Sequence, residues 1–160
     1  MPAFTLGIEI CEDLWVAQPP SISHTLAGAT VIANLSASDE MVGKDSYRRD
    51  LVKGSLPDWC AAIFTPQPER VNPPGSGIWR TELIAENGTM LAEAKRFQNT
   101  VIYGEIDVQR LADERRRLST YPASDDADCQ IVPFEVEVEE TSLTRNVCPL
   151  SFRTFCKRRA

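Results

Sequence analysis

The chain has 160 residues, 42% of them hydrophobic, enough to bury the core of one soluble unit or part of one. Its formal charge of −6 argues against a general nucleic-acid partner, and Lys157-Arg158-Arg159 at the end reads as a solvated basic tail. No apolar stretch approaches the roughly 20 residues of a membrane span and no signal-like region opens the chain, so the expected location is cytoplasmic with no membrane partner.

Phe4 to Ile10 is a near-continuous apolar run broken by Glu9, which predicts a strand buried on both faces of a sheet. The run delivers Cys11 to a point where Glu12, Asp13 and then Pro19-Pro20 turn the chain. A thiol there has two readings. It is a small buried hydrophobe, or it is a nucleophile whose neighbouring backbone N–H groups, Glu12's first, hold an oxyanion. Alternation puts Glu9 on the same face as Cys11, either as part of a charge network or as a structural hydrogen-bond acceptor. Ser21 to Gly28 predicts a short helix capped by Ser21 and stopped by Gly28. Thr30 to Leu35 follows as a second buried strand, and the strand–helix–strand order favours a parallel pair.

Ser36-Ala37-Ser38 and the polar loop to Lys44 come at the end of that strand, where active-site groups are commonly carried. A helix is expected from near Asp45, broken around Gly54 and Pro57, and Ala61 to Thr65 reads as a strand with Cys60 packed nearby. Asn87-Gly88 between the extended runs Ile78 to Ala85 and Met90 to Ala94 predicts a hairpin. Val101 to Ile106 reads as another strand, and Val108 to Leu118 as a helix with a solvated charged face. After Tyr121 the composition becomes polar and loses its period. The chain therefore divides into residues 1–121, a folded α/β part, and 122–160, a linker-like tail. The five cysteines, at 11, 60, 129, 148 and 156, lack the paired spacing of a zinc site, and no metal is expected.

The stretch GIEICEDLWVAQPPSISHTLAGATVIANLSAS resembles the glutaminase domain of bacterial glutamine-dependent NAD synthetases, of the nitrilase (carbon–nitrogen hydrolase) superfamily. The resemblance continues through VGKDSYRRDLV, LIAENGTMLAEAKRF, ADERRRLSTY and VPFEVEVEETSLTR. It implies a partial α-β-β-α sandwich, with Cys11 as the nucleophile that attacks the side-chain amide of L-glutamine and forms a thioester. It also places Ser38 and Lys44 at the substrate-binding positions, suited to the α-amino and α-carboxylate ends of glutamine. The proline-rich stretch Pro66 to Gly77 departs from the family, which carries a Gly-Glu-Ser-Thr-Thr-Asp-like loop there.

The family completes its triad with a glutamate base and a lysine placed many tens of residues before the cysteine. Only ten residues precede Cys11 here, none of them lysine, and Glu9 is too close in sequence to be that base. The isolated chain is thus expected to be inactive or very weak, and active only if a further N-terminal half supplies the partners. A Cys11–His24 pair is the alternative within the chain, against a surface histidine. The family's synthetase domain is not represented, and no Ser-Gly-Gly-x-Asp-Ser-like pyrophosphate loop occurs, so no cofactor is expected. Apolar strand edges and faces left open favour association, including a homo-oligomer, and a non-catalytic remnant or interaction protein is the competing class of function.

Overall fold

The computed structural model describes residues 4–36, 43–59, 62–65, 82–95, 100–122, 129–135 and 142–145. Leu6–Ile10 forms β1, followed without a break by a 3₁₀ helix, Cys11–Trp15. Then come α1 (Pro20–Leu26), β2 (Val31–Leu35), α2 (Lys44–Trp59), β3 (Ala62–Phe64), β4 (Leu83–Glu86), β5 (Thr89–Glu93) and α3 (Val108–Arg117). The strands make one mixed sheet in sequence order, with β1, β2 and β3 parallel and β4 and β5 antiparallel. The α/β class and the parallel β1–β2 pair match the sequence expectation. So does the hairpin: Asn87 and Gly88 both adopt positive φ, as a two-residue turn between right-twisted strands requires.

One face of the sheet is the core. Gly7, Ile32, Ile63 and Ala85 are aligned across it by the strand register, and with Leu83, Val52 and Leu14 they exclude water. Burial of these side chains is the main force holding α2 to the sheet, at roughly 1.5–3 kcal/mol for each large aliphatic residue. Gly7 is required by close approach: a Cβ there would lie 2.8 Å from His24 Cβ, so its absence lets α1 sit directly on β1.

The opposite face departs from the expectation of a strand buried on both sides. Ile8 and Ile10 of β1 are 55% and 65% exposed, and Leu35, opposite Ile10 in the register, is 49% exposed. The apolar run was a sound signal for a strand, but run length does not reveal whether both faces are covered. Among the described residues only one face of β1 has a helical layer over it.

Three further elements differ. The first helix begins at Pro20 with Pro19 at its N-cap, and the Ser21 amide, rather than being part of a serine cap, donates to Glu9 Oε2 at 3.1 Å. A distant carboxylate has taken the place of a local cap. Gly28, at φ +107, ends this helix as expected. Helix α2 runs through Gly54 and Pro57 to Trp59 instead of breaking. Pro57 removes the N–H that would reach the Lys53 carbonyl, and the helix ends two residues later at Trp59, so the loss is one hydrogen bond in the last turn. Residues 101–107 have no strand assignment, and Val101 and Tyr103 are 73% and 85% exposed. β-favouring side chains do not make a strand unless a neighbouring chain accepts their backbone hydrogen bonds. This segment is instead seated by Gly104, whose hydrogen faces Ile84 where a Cβ would lie 2.9 Å from its Cγ2.

The charged face of α3 is also more engaged than expected. Arg110 reaches Glu114 at 2.9 Å and the buried carboxylate of Glu86, Asn87 donates to Glu114, and Arg115 donates to the Ala29 carbonyl. Tyr121 Oη donates to the Thr25 carbonyl at 3.1 Å. Leu111 supplies the buried contact. Residues 144 and 145 close on Glu105, whose carboxyl is held below its ordinary range chiefly by the Thr144 hydroxyl, then by the Thr144 and Arg145 amides.

Candidate functional site

The site is built where β1 and β2 end together. Their register pairs Ile10 with Leu35, so the next residues, Cys11 and Ser36, face each other across the sheet's C-terminal edge. In open parallel sheets this edge is where ligands and catalytic groups gather. Cys11 has φ +48, a left-handed conformation that costs a residue with a Cβ roughly 1–2 kcal/mol. The surrounding hydrogen bonds hold it there. Asn34 Nδ2 donates to the Cys11 carbonyl at 3.4 Å and to Glu9 Oε1 at 3.2 Å, and Asp13 Oδ2 accepts from the Ile10 amide at 2.8 Å.

This left-handed residue turns the chain from β1 straight into the 3₁₀ helix. Cys11 is partly exposed, and Glu12 follows as the second residue of that helix with its side chain outward. The first N–H groups of any such helix have no partner within it, which is the condition expected of an oxyanion donor at Glu12. The Ser36 hydroxyl donates to Cys11 Sγ at 3.8 Å, a long contact ordinary for sulfur.

Glu9 is 2% exposed, and its carboxylate is occupied on both oxygens, by the Ser21 amide and by Asn34 Nδ2. Of its two sequence readings the geometry selects the structural acceptor. His24 is half-buried, and Nε2 donates to the Ile8 carbonyl at 3.1 Å while its Cβ packs over Gly7. It is therefore committed to the strand backbone and not to the thiol, and it is not a purely surface residue either.

Lys44 opens α2, and its Nζ lies 5.1 Å from the centre of the Trp15 ring. Arg48, one turn on, places its guanidinium 5.9 Å from the same ring, and Tyr47 stacks on it at 5.5 Å with planes 25° apart. Trp15 ends the helix that Cys11 begins, so the cation–π contacts fasten the cationic start of α2 to the thiol-bearing turn. Arg49 on the outer side pairs with Glu93 at 2.6 Å and with Asp45 at 2.8 Å, and these carboxylates raise its pKa, Glu93 most.

Ser38, Cys60 and the stretch Pro66 to Gly77 lie outside the described residues. No group of three or more potential metal ligands occurs among the described residues. No described helix is long and apolar enough to cross a membrane. Sequence reading missed Ser36, Asn34 and Trp15 as parts of the site. The pairing of Ile10 with Leu35 would have found Ser36, had the register been known. Trp15 and Lys44 come together only because α2 folds back over the sheet.

No family model matches the chain. It is 37% identical over 124 residues to the glutamine-dependent NAD(+) synthetase of Mycobacterium tuberculosis, covering 76% of this chain and 18% of that protein. To the Thermotoga maritima enzyme of the same name it is 32% identical over 126 residues, covering 70% and 20%. The chain thus spans about a fifth of the length of these curated relatives. A nitrilase-superfamily member from Saccharomyces cerevisiae superposes with a TM-score of 0.60 at 19% identity, covering 73% of this chain and 42% of that one. A carbon–nitrogen hydrolase from Helicobacter pylori gives a TM-score of 0.58 at 19% identity, covering 72% and 44%. At that identity the structures speak for the fold.

Proposed function

Since the chain belongs with the carbon–nitrogen hydrolase (nitrilase-type glutaminase) part of the glutamine-dependent NAD(+) synthetases, we propose that it carries the nucleophile of a glutamine-hydrolysing, ammonia-generating site. The observation that carries this reading is Cys11 itself, held in a left-handed conformation between the end of β1 and the start of a helix. Such strain is retained where the surrounding structure enforces it, commonly at reactive groups. In the proposed reaction Cys11 Sγ, having lost its proton to a base, attacks the side-chain carbonyl carbon of glutamine. The C–N bond breaks, the nitrogen leaves as ammonia with the returned proton, and water hydrolyses the glutamyl thioester. The Glu12 amide is suited to the oxyanion, and Lys44 to the substrate's α-carboxylate, with Ser38 the hydroxyl partner of its α-amino group by resemblance.

The same reading supplies a reason for low activity in these 160 residues alone. Among the described residues no carboxylate or lysine is hydrogen-bonded to the Cys11 thiol, and the nearby Glu9 carboxylate is used to cap α1. On this reading the base and the oxyanion-stabilising lysine come from outside the described residues, as the family resemblance implies. The exposed row Ile8, Ile10 and Leu35 favours the second reading, a non-catalytic piece that serves by association.

Glutamine-dependent ammonia release separates them. We expect little release from the chain alone, restored release on adding the separately produced N-terminal half of the matching domain, and none when Cys11→Ala replaces the native chain in that mixture. Demonstrable pairing without restored release would refute the glutaminase reading. Release by the chain alone that Cys11→Ala abolishes would refute the need for a further segment.

A further inference from the structure

We propose that Ser36 is a positioning residue for the nucleophile, with its hydroxyl directed at Cys11 Sγ. The inference rests on the reading of Cys11 as a nucleophile, but adds a residue which that reading did not use. Ser36 is 7% exposed and sits one residue beyond the end of β2, in line with Cys11 one residue beyond β1. Its hydroxyl donates to the sulfur at 3.8 Å. Two positions back on β2, on the same side of the strand, Asn34 holds the Cys11 carbonyl and is itself fully buried. The end of β2 thus grips the cysteine twice, by its main chain through Asn34 and by its side chain through Ser36.

The two grips have different consequences. Asn34 maintains the left-handed backbone, a structural task. A hydroxyl donor at sulfur limits the side chain to one rotamer and forms a charge-assisted hydrogen bond when the sulfur is negative, stronger than the bond to a neutral thiol. The thiolate is the reacting form in every substitution at sulfur, so Ser36 favours the species that attacks. Stabilising the thiolate also lowers its intrinsic nucleophilicity, offsetting about half of the gain on a logarithmic scale. The net effect of the hydroxyl on rate is therefore modest, about threefold.

The test needs neither glutamine nor a second segment, so its failure is distinct from failure of the glutaminase reading. The full chain is treated with iodoacetamide at neutral pH, and alkylation is followed separately at Cys11 and at Cys129 by peptide mass spectrometry. The new S–C bond forms as the C–I bond breaks, iodide leaves, and the thiol proton passes to solvent. Ser36→Ala is expected to slow Cys11 about threefold with Cys129 unchanged, and Ser36→Thr to restore the native rate by returning the hydroxyl. Ser36→Thr against Ser36→Val, near-isosteric and differing in the hydroxyl, makes the same comparison should the alanine variant not fold. Equal Cys11 rates in the native chain and Ser36→Ala, or equal rates in the threonine and valine variants, would overturn the proposal.

Discussion

At the residue scale, Cys11 combines a chemical group with an unfavourable backbone. Its φ of +48 is one that glycine adopts without penalty and a residue with a Cβ does not. Removing the thiol in two ways therefore has unequal results. Cys11→Gly should be more stable than Cys11→Ala by about 1 kcal/mol, although glycine is ordinarily the less stabilising of the two. Urea denaturation of the two variants measures the difference, and an alanine variant equal to or better than glycine would show that the turn is not strained. The sequence predicted the position of the thiol at the end of a strand, because apolar runs and turn residues are local signals. Its conformation was not predicted, because that is imposed by Asn34 and Asp13 through hydrogen bonds that close only when β1 and β2 are paired. Glu9 shows the same limit. Alternation placed it on a face, but its role as the cap of α1 depends on where that helix lands.

At the scale of elements, the contact of α1 with β1 is set by Gly7. A methyl group there would meet His24 Cβ at 2.8 Å and Ile32 Cδ1 at 2.9 Å. The isoleucine end can rotate away, but the histidine Cβ is fixed to the helix. Gly7→Ala should cost about 2 kcal/mol in the same denaturation experiment, within the range for overpacking a filled core. Adding His24→Ala should not recover it, since alanine keeps the offending Cβ; full recovery would place the conflict at the imidazole instead. Segments with a strong local period or a two-residue turn signal were legible: β1, β2, the Asn87-Gly88 hairpin and α3 fall close to their expected bounds. The expected strand at Val101 to Ile106 was not found, since pairing is a property of two chains and not of one sequence window. The helix running on through Pro57 was missed for a related reason. A proline removes one hydrogen bond and crowds the preceding turn, and whether the helix runs on past it depends on the packing of the rest of the element.

For the molecule as a whole, the main asymmetry is between the two faces of the sheet. One is packed by α1 and α2, while the other presents Ile8, Ile10 and Leu35 to solvent. Such a row is the kind of apolar patch that drives association. The double substitution Ile8→Thr with Ile10→Thr, which keeps β-branched side chains, should lower self-association in sedimentation velocity. The denaturation free energy should stay within about 0.5 kcal/mol of native, as for surface positions in general. Unchanged association would mean that another surface is responsible.

The sequence by itself determined the α/β class, the order of most elements, the candidate nucleophile and the family resemblance, because each is written in local pattern and wording. Tertiary structure alone decided that Ser36 meets the thiol, that Lys44 sits over the Trp15 ring, that Glu9 is a cap, and that one face of β1 is open. These depend on strand register and helix docking, which bring together residues far apart in the chain, such as Cys11 with Ser36, 25 positions on.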